Sequence, residues 1–191
     1  MKTKSNLLNA AKNADYVFIS VMGPHAQEKE DEIFRRKTGD LKECGESFWV
    51  SGVNERFIAE CREKLNCKTG YLILVNGNAS DTESNTPATK YSEDKTIWKD
   101  IDANLTPVTG KLPNKAYFFD DIEILKTQDT IDLDYYEDTI SLGAIKFGCG
   151  NSYSNVFAKK NDSQMPGGMK NHERKIVAVL RLKYPYVVWV K

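Results

Sequence analysis

The stretch GAIKFGCGNSYSNV, from Gly143 to Val156, sets Gly148 and Gly150 on either side of Cys149 and runs into small polar residues. Glycines without a Cβ let backbone amides approach a phosphate or a nucleotide ring closely. Asn151 and Tyr153 would add a hydrogen-bonding amide and a stacking ring. The same residues also make a tight corner between two strands, because the spacing fits neither GxGxxG nor the Walker loop. A second stretch, SFWVSGVN from Ser47 to Asn54, offers Trp49 for stacking and Asn54 for hydrogen bonding. A third, polar and basic, runs over residues 159–175 and would bring Lys170 and Arg174 to phosphate, with Tyr153, Phe157 and Tyr184 around it. Basic groups interleaved with aromatics hold phosphates and stack bases. The leading expectation is therefore a binding module for a phosphate-bearing ligand, a nucleic acid or a nucleotide. Its ligand-binding set is Trp49, Asn54, Gly148, Gly150, Asn151, Tyr153, Lys170 and Arg174.

Two other classes stay open. A small hydrolytic or group-transfer enzyme would use His25, His172, Cys149 or the acidic strands, and needs them to converge in one cleft. The alternative for both histidines is a solvated place in an exposed loop. Asp121 and Glu123 share one strand face, and Asp132 and Asp134 another; neighbouring strands would crowd these charges and raise a pKa. No HExxH or paired CxxC is present and the four cysteines match no zinc spacing, so no metal site is expected and no cofactor is named. An inhibitor or adaptor working through a protein partner is the third class, and its mark would be an exposed apolar patch.

The formal net charge is zero, from 27 basic and 27 acidic residues, so no whole-molecule field draws in a polyanion. The distribution is uneven. Residues 120–138 carry eight carboxylates against one lysine, whereas residues 159–191 carry eight Lys or Arg against two carboxylates. If those segments pair with one another, they neutralise. The hydrophobic share of 40% and charged share of 28% suit a globular chain of one domain, residues 1–191. No apolar run has the length of a membrane span or secretory signal, so a cytoplasmic protein without membrane contact is expected, its thiols reduced.

The elements that must position these residues read as α+β, with an N-terminal β-α-β crossover and a largely antiparallel C-terminal sheet. A short helix capped by Ser5 precedes the strand YVFISV; Ala26–Lys37 reads as a surface helix closed at Gly39. Ser47–Ser51 and Tyr71–Val75 flank the clearest helix, NERFIAECREKL, and the crossover reading makes those two strands parallel. Cys61 falls on the core face of that helix. Residues 76–115 form a long irregular segment, with one helical turn at TIWKDI. The strands AYFFDDIEIL, TIDLDYY and TISLGAIKF follow, then IVAVLRLKY and YVVWV divided by Pro185.

Overall fold

A computed structural model of the chain describes residues 6–22, 29–77, 87–105, 108–109, 114–126, 128–147, 154–167 and 172–191. Three helices accompany a mixed sheet: the fold is α+β. Helix α1 (Leu7–Asn13) leads into strand β1 (Tyr16–Met22), and α2 (Glu30–Cys44) into β2 (Ser47–Ser51). Helix α3 (Glu55–Leu65) is followed by β3 (Gly70–Asn76). Four short strands come next: β4 (Pro87–Ala88), β5 (Lys90–Ser92), β6 (Lys99–Asp100) and β7 (Val108–Thr109). The long β8 (Asn114–Ile124) precedes β9 (Thr130–Asp132), a 3-10 turn (Leu133–Tyr135), β10 (Tyr136–Asp138), β11 (Asn155–Lys160) and β12 (Glu173–Val190). No helix among the described residues is long and apolar enough to cross a membrane.

Capping chemistry fixes the helix ends. Asn6 accepts from the Asn9 amide at α1, and Asn54 from the Arg56 amide at α3, where Val53 and Ile58 are both buried across the cap. Helix α2 does not stop at Gly39. It runs on through Leu41 to Gly45, which takes φ 75° and donates its amide to the Leu41 carbonyl. The later glycine caps because it alone of the two adopts the left-handed conformation a helix end requires.

The crossover differs from the sequence reading. The parallel pair is β1 with β3, Phe18 opposite Leu72 and Val21 opposite Val75, while β2 pairs antiparallel with β8. The run FWV is short enough to sit in either partnership, and the apolar β8 offers it a longer ladder. Strands IVAVLRLKY and YVVWV are one strand, β12, with a bulge around Pro185: Leu182 faces Phe119 and Val187 faces Tyr117, so four residues of β12 oppose Phe118 alone. The first part of β12 lies between β3 and β8, and its last residues between β8 and β5. Residues Thr139–Phe147, expected as a strand, are turns with one bridge from Ala144 to Glu137, because the Asp138 carboxylate accepts the Ile140 and Ser141 amides and bends the chain. TIWKDI is not a helical turn; Lys99–Asp100 is an edge strand against β5.

The acidic and basic segments do pair. Asp121 faces Arg181 across β8 and β12, and Glu137 faces Lys159 across β10 and β11. These two pairs offset part of the charge asymmetry of the chain, whereas Arg174 and Lys175 stand opposite Ile131 and Thr130. Strands β8 and β9 follow one another along the same strand, β12, rather than lying side by side. Asp121 and Glu123 therefore do not crowd Asp132 and Asp134. Asp120 and Asp121 meet the Arg181 guanidinium at 2.7 and 3.6 Å, and Glu123 accepts the Leu8 amide at 2.9 Å.

Candidate functional site

The site begins with polar residues on strand faces that are otherwise apolar. In β1, Ser20 is 3% exposed and lies opposite Asn155 of β11, also 3% exposed. Side chains alternate along a strand, so both share a face with Phe18 and Phe157, whose rings meet at 4.7 Å. Tyr117 of β8 packs edge-on against Phe18 at 5.0 Å. The Asn155 side-chain oxygen accepts two hydroxyls, Ser51 Oγ at 2.8 Å and Tyr117 Oη at 3.0 Å. Its amide nitrogen donates to Ser154 Oγ at 3.1 Å. Strands β2 and β8 are not hydrogen-bonded to β11, so these bonds link strands that are not neighbours in a sheet that curls back on itself. Burial holds the Tyr117 phenol well above its usual pKa, leaving it a donor at every physiological pH.

This cluster sits where the parallel strands end. The Val21 amide donates to the Ser154 carbonyl at 2.8 Å, and the Gly77 amide to the Met22 carbonyl at 3.2 Å. A Cβ on Gly77 would stand 2.4 Å from Val21 Cγ1, so only glycine fits this close approach. The Asn76 side chain accepts the Lys175 amide at 3.0 Å, which places the basic start of β12 at the same edge. The amino end of α3 opens three residues after Ser51. Ligands of open α/β sheets bind outside the carboxyl ends of parallel strands.

The expected ligand-binding residues divide. Of the two stretches expected to wall a pocket, Ser51 from the first donates to the side chain of Asn155 at the end of the second. Trp49 is half-buried and stacked on Phe34 at 6.1 Å, so α2 occupies a face of its indole. Asn54 spends its side-chain oxygen on the α3 cap. Arg174 pairs across from Ile131, its guanidinium donating to the Glu173 carbonyl at 3.3 Å. Gly148, Cys149, Gly150, Asn151, Tyr153, Lys170 and His25 lie outside the described residues. Ser51, Tyr117 and Asn155 are not among the residues expected from the sequence, although polar residues at inward positions of apolar strands are the signal that marks this cluster.

His172 is not a solvated loop histidine: it is 2% exposed, with Nδ1 3.2 Å from Asp134 Oδ1. Its backbone is held by the next layer, since the Leu133 amide donates to the His172 carbonyl. Among the described residues no group of three or more His, Cys, Asp or Glu stands ready to hold a metal ion. Among the described residues the exposed large apolar side chains are Ile97, Ile124, Tyr135, Leu142 and Tyr184, scattered along the chain.

Cys44, Cys61 and Cys67 are free thiols. Burial pushes Cys61 up to about 12, and Cys44 is raised by desolvation and then by Asp102 and Asp40 nearby. Iodoacetamide on the native protein should label exposed Cys67 first, Cys44 more slowly, and Cys61 only after denaturation. Peptide mass mapping over time reads this order, and early labelling of Cys61 would contradict its packing.

Comparisons with protein-family models, with curated proteins and with solved structures returned no match to this chain.

Proposed function

We propose that the chain is a binding module for a phosphate-bearing ligand, and that a nucleotide suits it better than a nucleic acid. The observation that carries this reading is the Ser51–Asn155–Tyr117 cluster, which unites two pocket stretches distant in sequence at the carboxyl end of β1 and β3. Lys175 is exposed at that edge and supplies a positive charge beside it. The α3 amino end adds the favourable end of a helix dipole for an anion. A long polyanion is disfavoured because the formal net charge is zero and Arg181 and Lys159 each face a carboxylate. A hydrolytic or group-transfer role has less support, since His172 is turned inward on Asp134 in the interior, and Asp121 and Glu123 are engaged by Arg181 and the Leu8 amide.

Titration calorimetry with ribonucleoside mono- and triphosphates tests the reading. One of them should bind, and Lys175→Glu should weaken it roughly tenfold, the effect of about 1.4 kcal/mol, while melting stays unchanged. A short single-stranded oligonucleotide should bind no better than its mononucleotide. No heat and no thermal shift from any nucleotide at about 1 mM, the ceiling of a useful affinity, would sink the proposal.

A further inference from the structure

One indole carries two cations. Trp189, near the end of β12, has the Lys95 ammonium 3.7 Å from its ring centroid and the Lys115 ammonium 4.9 Å from it. Strand register brings them together. Trp189 lies opposite Lys115 of β8 and opposite Ser92 of β5, and Lys115 lies opposite Ser51 of β2. Residues directly opposite one another share a face, so Ser51, Lys115, Trp189 and Ser92 form one row across four strands. The row begins at the hydroxyl that donates to Asn155.

Lys95 is brought to the ring by a well-tied turn. The Ser92 hydroxyl accepts the Lys95 amide at 3.0 Å, Asp94 accepts the Thr96 amide at 2.9 Å, and the Trp98 indole donates to the Lys95 carbonyl at 3.1 Å. These bonds hold Lys95 at φ 69°, a left-handed conformation that is costly for a residue with a Cβ and that recurs at ligand clamps. Its ammonium also lies 3.6 Å from Glu55, the first residue of α3, so the turn sits at the amino end of that helix. Lys115 is half-buried and meets no carboxylate among the described residues. A cation drawn out of water carries a desolvation cost until an anion answers it, and contact with an indole face offsets only part of that cost. Two like charges drawn to one ring also repel. A shared anion relieves both.

We propose that Lys95 and Lys115, steered by Trp189, grip the phosphate groups of a nucleoside di- or triphosphate. The identity of that ligand rests on the nucleotide reading above, whose site the clamp adjoins through Ser51 and the α3 amino end. A diphosphate presents oxygens on two phosphorus atoms, so each ammonium gains a charge-assisted partner of its own. Glu55 is the carboxylate that the ligand displaces from Lys95.

Adenosine diphosphate and inorganic pyrophosphate are the two probes, followed by calorimetry and by the proton–nitrogen resonance of the Trp189 indole, which Trp189→Phe identifies. Both should bind and move that resonance. Lys95→Gln and Lys115→Gln should each weaken both by about tenfold or more, the loss of one charge-assisted bond, with an unaltered circular dichroism spectrum. Glu55→Gln should tighten both by about two- to fivefold, a gain that a purely structural role for the lysines would not give. Adenosine diphosphate binding that the lysine variants leave unchanged, or that leaves the Trp189 resonance still, would overturn the clamp while the nucleotide reading stands. Pyrophosphate held through the two lysines with no affinity for any nucleotide would overturn that reading while the clamp stands, its ligand then being a free phosphate anion. No binding of either probe would end both.

Discussion

Replacing Asn155 by leucine should cost about 2 to 4 kcal/mol, because it strands the buried Tyr117 hydroxyl and the half-buried Ser51 hydroxyl, and a stranded buried group costs roughly 1 to 3 kcal/mol. Leucine keeps the branched shape of asparagine but is larger, so no cavity forms and the loss comes from polarity together with overpacking. Tyr117 is fully buried and its hydroxyl donates to the Asn155 side-chain oxygen; Ser51 bonds the same atom. Tyr117→Phe alone should cost about 1 kcal/mol, the net worth of one hydrogen bond. In the Asn155→Leu, Tyr117→Phe double variant the phenol is no longer stranded, so part of the first loss should return. Urea unfolding of the four proteins measures the coupling. Simple additivity would mean that the tyrosine hydroxyl finds another acceptor and the cluster does not act as a unit.

The same cycle bears on function. Lys175→Glu probes affinity without touching the core, whereas Asn155→Leu loosens the two stretches that the proposed binding site needs. A nucleotide binder should lose affinity in both variants but stability in one.

What was legible in the sequence follows the length of each pattern. Helix α3 declared itself through Asn54, the Val53 and Ile58 staple and the spacing of Phe57, Cys61 and Leu65, all of which are local signals. The strands β1, β3 and β8 declared themselves by runs of apolar residues. Strand partnership was not legible, since Ser47–Ser51 carries nothing that tells β3 from β8 as its neighbour. Strands of two or three residues between 87 and 109 are too short to show alternation at all. The continuity of β12 through Pro185 was hidden because proline in a strand normally argues for an end, and here a bulge absorbs it.

The site was half legible for the same reason. Composition pointed to SFWVSGVN and GCGNSYSN, and the structure joins those stretches; it does so through Ser51 and Asn155 rather than through Trp49 and Asn54. Asn54 was consumed by a local duty that its own sequence position had already announced, the helix cap. The charge asymmetry misled because antiparallel pairing depends on distant registers. Glu137 opposite Lys159 and Asp121 opposite Arg181 are facts of tertiary structure, invisible along the chain. His172 is a similar case, since a basic loop on paper folds its imidazole inward onto an aspartate 38 residues earlier.

Alkali should unfold the protein before its buried groups titrate. Burial raises the Cys61 thiol from 9.0 to about 12 and holds the Tyr117 phenol well above its ordinary 10.0. Both groups are neutral when protonated, so the native state keeps protons that the unfolded chain gives up. Stability from these shifts is fully present below the unfolded pKa and is lost as pH rises through the window toward the folded one. For Cys61 that window runs from 9.0 to about 12, and at 1.36 kcal/mol per unit it amounts to about 4 kcal/mol at its upper end. Tyr117 adds to the same loss above pH 10. Absorbance at 295 nm should show most tyrosinates appearing smoothly, with the Tyr117 fraction arriving in one step that coincides with loss of circular dichroism. Cys61→Ala, although less stable at neutral pH because it empties a buried position, should lose stability less steeply between pH 9 and 12. An equal slope in both proteins would mean that the thiol is not a source of the alkaline sensitivity, and a smooth Tyr117 titration in a folded protein would mean that the curled sheet opens to hydroxide far more readily than its packing requires.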